Sequence, residues 1–223
     1  MQSLKYNVLA LAILVLAITP SFGATTPITD LYSTGQSNNN FGQSDAHYTI
    51  RPGSPSGQTT AYTVDPYNIL CCWATPPAGT WWINPYAAEP GGQPDGNAAQ
   101  GLYIYETTFT LAPGWTNASL SGQWAADNSA NMFLNSNLVS TTAGGGLLTP
   151  FAATTQSWFQ TGTNTLTFEV TNNGCQAGCG FNPTGLLVQI SGTVGAAPEP
   201  SSLLLMGSGV LGLAGVIRRK LIG

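Results

Sequence analysis

The sequence is short of charge above all else. Of 223 residues only 6% are Asp, Glu, Lys or Arg, where soluble domains carry about a quarter. Coiled coils, cytosolic helical bundles and disordered acidic tails draw heavily on those residues, so the deficit excludes them. Basic residues are the scarcest. Lys5 stands near the N-terminus, Arg218, Arg219 and Lys220 stand near the C-terminus, and only Arg51 lies between. Against that one positive charge stand eight negative ones, Asp30, Asp45, Asp65, Glu89, Asp95, Glu106, Asp127 and Glu169, a net of −7 for the middle of the chain. A phosphate-binding groove needs Lys and Arg, so nucleic acid is not an expected partner. Histidine is nearly missing as well. A catalytic triad would have to use His47, and no Gly-x-Ser-x-Gly elbow accompanies it. Amphipathic helices are absent too: no long window shows a 3.6-residue apolar period, apart from a short turn around 156–159.

What the chain does hold is short strands and turns. There are 27 Gly and 15 Pro, and turn signals fall at Pro52-Gly53, Pro76-Pro77, Pro90-Gly91-Gly92, Pro113-Gly114 and Gly144-Gly145-Gly146. Residues 102–111 alternate clearly, with Tyr103, Tyr105, Thr107, Phe109 and Leu111 on one face and Leu102, Ile104, Glu106, Thr108 and Thr110 on the other. Further strands are expected at 47–51, 60–64, 80–83, 118–125, 131–134, 164–171 and 185–193. Strands at this spacing without intervening helices predict an all-β fold, a single antiparallel β-sandwich or jelly roll over residues 24–196.

The two ends read as addresses. Lys5, an apolar run of about 11 residues from Val8 to Ile18 and the small-residue exit at Gly23-Ala24 match a secretory signal peptide over 1–23, removed by signal peptidase. At the other end, Pro198-Glu199-Pro200 leads into an apolar run, expected to form a short transmembrane helix over about 202–217, and then Arg218-Arg219-Lys220. Basic residues there should stay cytoplasmic and hold the rest outside. These three parts, in this order, resemble the PEP-CTERM sorting signal of Gram-negative bacteria. The resemblance implies recognition by an exosortase, transient membrane insertion through the tail, and delivery to the cell surface or extracellular matrix. The same tail pattern is also known as the ice-binding protein C-terminal domain, a label that by itself says nothing about ice.

The region between carries a second resemblance, spread over about 45–194. Asp45-Ala-His47-Tyr48, Trp82-Ile83-Asn84-Pro85, Tyr103-Ile-Tyr105-Glu106, Gly122-Gln123-Trp124, Asp127-Asn128, Gly162-Thr-Asn164 and Asn182-Pro183-Thr184-Gly185 are similar to a domain recurring in bacterial surface proteins. That domain is in turn similar to jelly-roll, galactose-binding-like modules found beside glycosidases, which implies association with carbohydrate and identifies no sugar. The chain departs from the pattern at Asn135-Ser136, where Asn-Gly is usual, and in the cysteine-bearing insertion before Asn182.

Candidate ligand-binding residues follow from sugar chemistry, in which aromatic faces stack on the ring and amides and carboxylates bond the hydroxyls. Trp81 and Trp82 are consecutive in a strand and must point to opposite faces, one to the core and the other outward or under a loop. Trp115 follows a turn, where it either caps the sandwich or binds. Trp124 reads as core. Asp127-Asn128 follows a strand, where the pair either builds a turn or bonds a sugar or calcium, the latter requiring Asp45, Glu106 and Asp127 to converge. No other cofactor is implied. Glycoside hydrolysis would need two carboxylates at suitable separation, Glu106 with Asp127 or with Glu169. Cys71, Cys72, Cys175 and Cys179 are an even set in an exported chain, which favours disulfides. Cross-pairing of the first two with the last two, a local Cys175–Cys179 bond and a zinc site are the alternatives. The expectation is a non-catalytic exported protein associated with extracellular polysaccharide. A passive matrix protein, a glycoside hydrolase and an ice-binding protein are the other readings.

Overall fold

The computed structural model describes residues 25–36, 40–64, 73–87, 98–174, 182–196 and 200–222. The signal peptide, all four cysteines, Pro198 and Glu199 lie outside these described residues. Eleven strands follow one another along the chain: β1 (Thr25–Pro27), β2 (Ser44–Ile50), β3 (Thr60–Val64), β4 (Trp82–Asn84), β5 (Gly101–Leu111), β6 (Trp115–Asp127), β7 (Ser129–Leu134), β8 (Asn137–Thr142), β9 (Thr149–Ala153), β10 (Gly162–Asn172) and β11 (Gly185–Ala196). A short 3-10 turn spans Gln156–Trp158 and helix α1 spans Pro200–Ile222. All the strand pairings with a defined register are antiparallel.

The expected strands are present with small shifts of boundary. Three more, β1, β8 and β9, were not anticipated, because they are short and their side chains lack a clean alternation. In β1 all three residues are exposed.

Hydrogen-bonded neighbours run in the order β8-β7-β10-β5-β2-β3-β4-β11-β6-β9, with β1 attached to β11. The path folds over on itself, since the ring of Trp124 on β6 lies 5.9 Å from that of Phe168 on β10. The inward side chains of the first layer are Tyr103, Tyr105, Phe109, Leu111, Leu166, Phe168, Val170, Met132 and Leu134, all buried. They meet Ala118, Leu120, Trp124, Leu186, Val188 and Phe151 of the second layer in one core. Its Trp124 is 0% exposed, as the sequence suggested, and donates its indole N–H to Ser140 Oγ at 3.1 Å. Truncating a side chain of that size in a core costs about 3–5 kcal/mol.

At one end the second layer is buried on both faces. Val64, Ala74, Trp82, Ala125 and Leu187 form a separate apolar cluster, with Trp73 and Leu148 packed against it. Its cover is the segment before β4, tied down by Ala74 N–H to the Gly145 carbonyl at 2.6 Å.

The N-terminal segment covers the edge of β11. Thr25 pairs with Gly195 and Pro27 with Thr193, Ile28 N–H bonds the Gly192 carbonyl, and Thr34 bonds Val188 through backbone and hydroxyl. Gly192 is needed there, because a Cβ would meet Leu120, Ile28 and Leu31 at 2.7–3.0 Å.

Thr25–Gly195 is one compact unit, and the tail from Ala196 belongs to another. Helix α1 has 23 residues, a length of about 35 Å, but the transmembrane expectation is not met. Among the described residues no helix is long and apolar enough to cross a membrane. Gly207, Ser208, Gly209, Gly212 and Gly215 dilute the apolar run, and Arg218, Arg219 and Lys220 occupy the final turns.

The turn between β7 and β8 is Asn135-Ser136, with φ of 47° and 69°. Both residues sit in the left-handed region that two-residue hairpins favour. Asn135 is locked by its side chain, which donates to the Trp158 carbonyl and to Asn164 Oδ1 and accepts from Thr165 N–H. Among the described residues the Ser136 side chain has no hydrogen-bond partner, so it bears the left-handed cost without that compensation. Ser136→Gly should therefore stabilise the domain by about 0.5–1 kcal/mol, read as a rise of a few degrees in the thermal unfolding midpoint.

Candidate functional site

The aromatic candidates do not gather into one site. Trp82 is 0% exposed, so it cannot stack on a ligand. Its ring stacks on Trp73 at 4.2 Å and its indole N–H bonds the Ala74 carbonyl at 2.9 Å. This corrects its candidacy: its side of β4 faces the second apolar cluster, where the Trp73 ring covers it. Trp81 is half-buried, against Gly35, where a Cβ would meet it at 2.6 Å. Trp115 is also half-buried, 6.1 Å from the ring of Phe159 and bonded to Thr161, so it caps the sandwich. Twelve residues along β6 separate it from Asp127, about 40 Å of extended chain, so the two cannot share a ligand.

The Asp127-Asn128 junction is engaged within the fold. Asp127 Oδ2 accepts the Trp73 indole N–H at 2.8 Å, and the Asp127 carbonyl accepts the Thr184 hydroxyl. Asn128 Oδ1 accepts Asn173 N–H at 2.7 Å, and Asn128 N–H bonds the Thr171 carbonyl. The pair joins β6 to β7 and closes the end of β10, which is the turn-building role.

The three acids considered for calcium do not converge. Asp45 is buried, and its oxygens accept the backbone N–H groups of Gly35, His47 and Tyr48 at 2.6–3.2 Å. Glu106 points outward from β5, while Asp127 stands beside Trp73 on the outer side of the other layer. Among the described residues no group of three or more His, Cys, Asp or Glu side chains is placed to hold a metal ion. His47 is half-buried with its ring stacked on Tyr32 at 3.5 Å.

What the fold does assemble is the open face of the first layer. Glu106 is held by the Arg51 guanidinium at 2.5 Å, and Thr167 Oγ1 donates to the same carboxylate. This hydrogen bond holds Arg51 protonated above the ordinary arginine range, with Glu169 adding its negative charge. Thr167 is paired with Glu106 on one side and with Phe133 on the other, and Glu169 lies between Ile104 and Asn131. Glu106 and Glu169 are thus diagonal neighbours, about 7 Å apart at Cβ. Of the two carboxylate pairs considered, only this one is brought together, on an exposed sheet face. A protonated acid catalyst calls for a desolvated setting, which this face does not provide.

Sequence reasoning identified Glu106 and Glu169 and placed Thr108 and Thr110 on the face of Glu106, but not the residues opposite them. Thr165 stands opposite Thr108 and Thr163 opposite Thr110, pairings that only the register between β5 and β10 reveals.

Burial raises the Asp127 carboxyl above the usual aspartate value, more than the Trp73 hydrogen bond lowers it. A carboxyl whose pKa is raised on folding stabilises the fold below its unfolded value of about 3.9 and loses that contribution as pH rises through the folded value. Asp127→Asn retains an acceptor for Trp73 without the charge. The variant should unfold at a higher temperature than the parent at pH 7, and the advantage should shrink towards pH 3.5, as checked by thermal melts across that range.

Among curated proteins the sequence has no match. Solved structures that align with it do so at low similarity. An FMN-binding β-glucuronidase from Facaelibacterium prausnitzii L2-6 is 20% identical with a TM-score of 0.38, over 76% of this chain and 23% of that one. A β-glucuronidase from an uncultured Clostridium sp. is 14% identical with a TM-score of 0.37, over 82% and 30%. A Podospora anserina GH26-CBM35 β-(1,4)-mannanase is 14% identical with a TM-score of 0.27, over 80% and 29%. This chain spans less than a third of the length of each of these. Residues 196–220 carry the PEP-CTERM protein-sorting motif, which implies processing by an exosortase.

Proposed function

We propose that this chain is an exported surface or matrix protein, delivered by an exosortase, whose sandwich works by associating with extracellular polysaccharide rather than by catalysis. One observation carries the reading: the sorting motif begins at residue 196, where β11 ends. The motif follows β11 directly in sequence, so the sorting signal carries the sandwich with it. The N-terminal segment pairs along β11 up to Gly195, so the folded unit extends to the residue before the motif.

The surface fits such a destination. One arginine stands against eight acids outside the two ends, and hydroxyl and amide groups supply most of the remaining polarity. Groups of that kind exchange hydrogen bonds with sugar hydroxyls without the desolvation cost of a buried charge. The polysaccharide partner and the bacterial cell surface are the finer parts of this proposal, and signal peptidase and the exosortase are its processing partners.

Replacing Arg218, Arg219 and Lys220 together by Gln should leave the chain unprocessed in an exosortase-bearing host, with at least a tenfold drop in the amount reaching the surface or medium on immunoblots of fractions. Normal delivery of that variant would overturn the sorting proposal. For the second half, the delivered protein should co-sediment with the host's extracellular polysaccharide, and its absence from that pellet would leave a passive matrix role.

A further inference from the structure

The two outer faces of the sandwich are not alike. That of the second layer is covered at one end, where the segment carrying Trp73 and Ala74 closes over Trp82, Ala125 and Leu187, while Ser121, Ser191 and Thr193 farther along it are exposed. That of the first layer is open across β7, β10 and β5. Leu102 and Leu138 on it are 43% and 51% exposed, and its other side chains are exposed or half-buried.

Along β10 the outward positions read Thr163, Thr165, Thr167, Glu169 and Thr171. Alternate residues of a strand recur about every 6.8 Å, so this row runs for about 27 Å. Beside it on β7 stand an aromatic ring, Phe133, and an amide, Asn131, while β5 contributes Glu106. A row of hydroxyls that includes one carboxylate, with a ring on one side and a second carboxylate on the other, presents what an extended sugar chain needs: partners for hydroxyl groups and a flat apolar surface for a ring face.

Charge decides the kind of sugar. Arg51 is the lone basic residue between the two ends of the chain, and it is already committed to Glu106. Two carboxylates therefore share one guanidinium, and the face keeps an excess negative charge in a domain that is negative throughout. An anionic glycan would meet repulsion with no free cation to receive it, whereas an ammonium group would make a charge-assisted hydrogen bond to the uncommitted carboxylate. We propose that this face is a binding track for a polysaccharide carrying free amino groups, with an ammonium at Glu169 and sugar hydroxyls along the threonine row. The inference rests on the polysaccharide-associating reading above and adds the substrate class and the site.

The test uses the purified full chain and three immobilised polymers: a de-N-acetylated hexosamine polymer, its N-acetylated counterpart and a polyuronate. Retention on the amine polymer should exceed that on the other two at least tenfold at low salt. It should fall steeply by 1 M salt, where the screening length is about 3 Å. Glu169→Gln should lower retention at least fivefold. Asp127→Asn, which removes the same charge from the other layer, should leave it within twofold. Equal losses from both variants would mean diffuse attraction and would overturn the site. Preferential retention on the N-acetylated polymer or the polyuronate would overturn the amine class while leaving polysaccharide association standing. Retention on none of the three, together with absence from the host polysaccharide pellet, would overturn both.

Discussion

The full-length pairing of β5 with β10 is the constraint on which the rest of the molecule depends. Eleven residues of each strand stand opposite one another without a break, from Gly162 against Leu111 to Asn172 against Gly101. Because successive side chains alternate, this register puts Tyr103, Tyr105, Phe109, Leu166, Phe168 and Val170 into the core and leaves Glu106, Thr108, Thr165, Thr167 and Glu169 outside. A slip of one residue would bury the hydroxyls and carboxylates and expose the aromatics. Core and open face are therefore two consequences of one hydrogen-bond ladder.

The second layer answers a different demand. Its strands carry apolar groups on both faces, Trp124 and Leu186 inward and Trp82, Ala125 and Leu187 outward. An exposed patch of that kind would invite association, and the chain covers it with Trp73. The ring of Trp73 also lies where a Cβ on Gly185 would come within 2.6 Å, so the glycine opening β11 provides the space. Its indole N–H is satisfied by Asp127, which is why a carboxyl that resembled a ligand-binding group holds a structural position.

The ends of the domain are joined in the same economical way. The strand that leads into the sorting motif would have a bare edge from Val188 to Gly195, and the segment from Thr25 to Thr34 covers it. Unpaired edges are sites of unwanted association.

Much of this was legible before any fold was known. Alternation at 102–111 and 164–171 marked the ladder strands, Trp124 read as core, and the C-terminal end declared itself through Pro-Glu-Pro with its Arg cluster. β1, β8 and β9 were not legible, since three to six residues with mixed exposure carry no periodic signal and exist only through their partners. Nor could the sequence show which outward strand positions stay open. Trp82 alternates just as an exposed residue would, and the fate of that face depends on a segment packing over it from elsewhere in the chain. Composition and pattern by themselves determined the class of fold, the scarcity of cations and the sorting address, because these are properties of residues read singly or at short spacing. The tertiary structure alone decided that Glu106, Glu169 and Arg51 share a face with a row of threonines while Asp127 and Trp82 do not, because register across strands and coverage between layers are set by contacts between residues far apart in the chain.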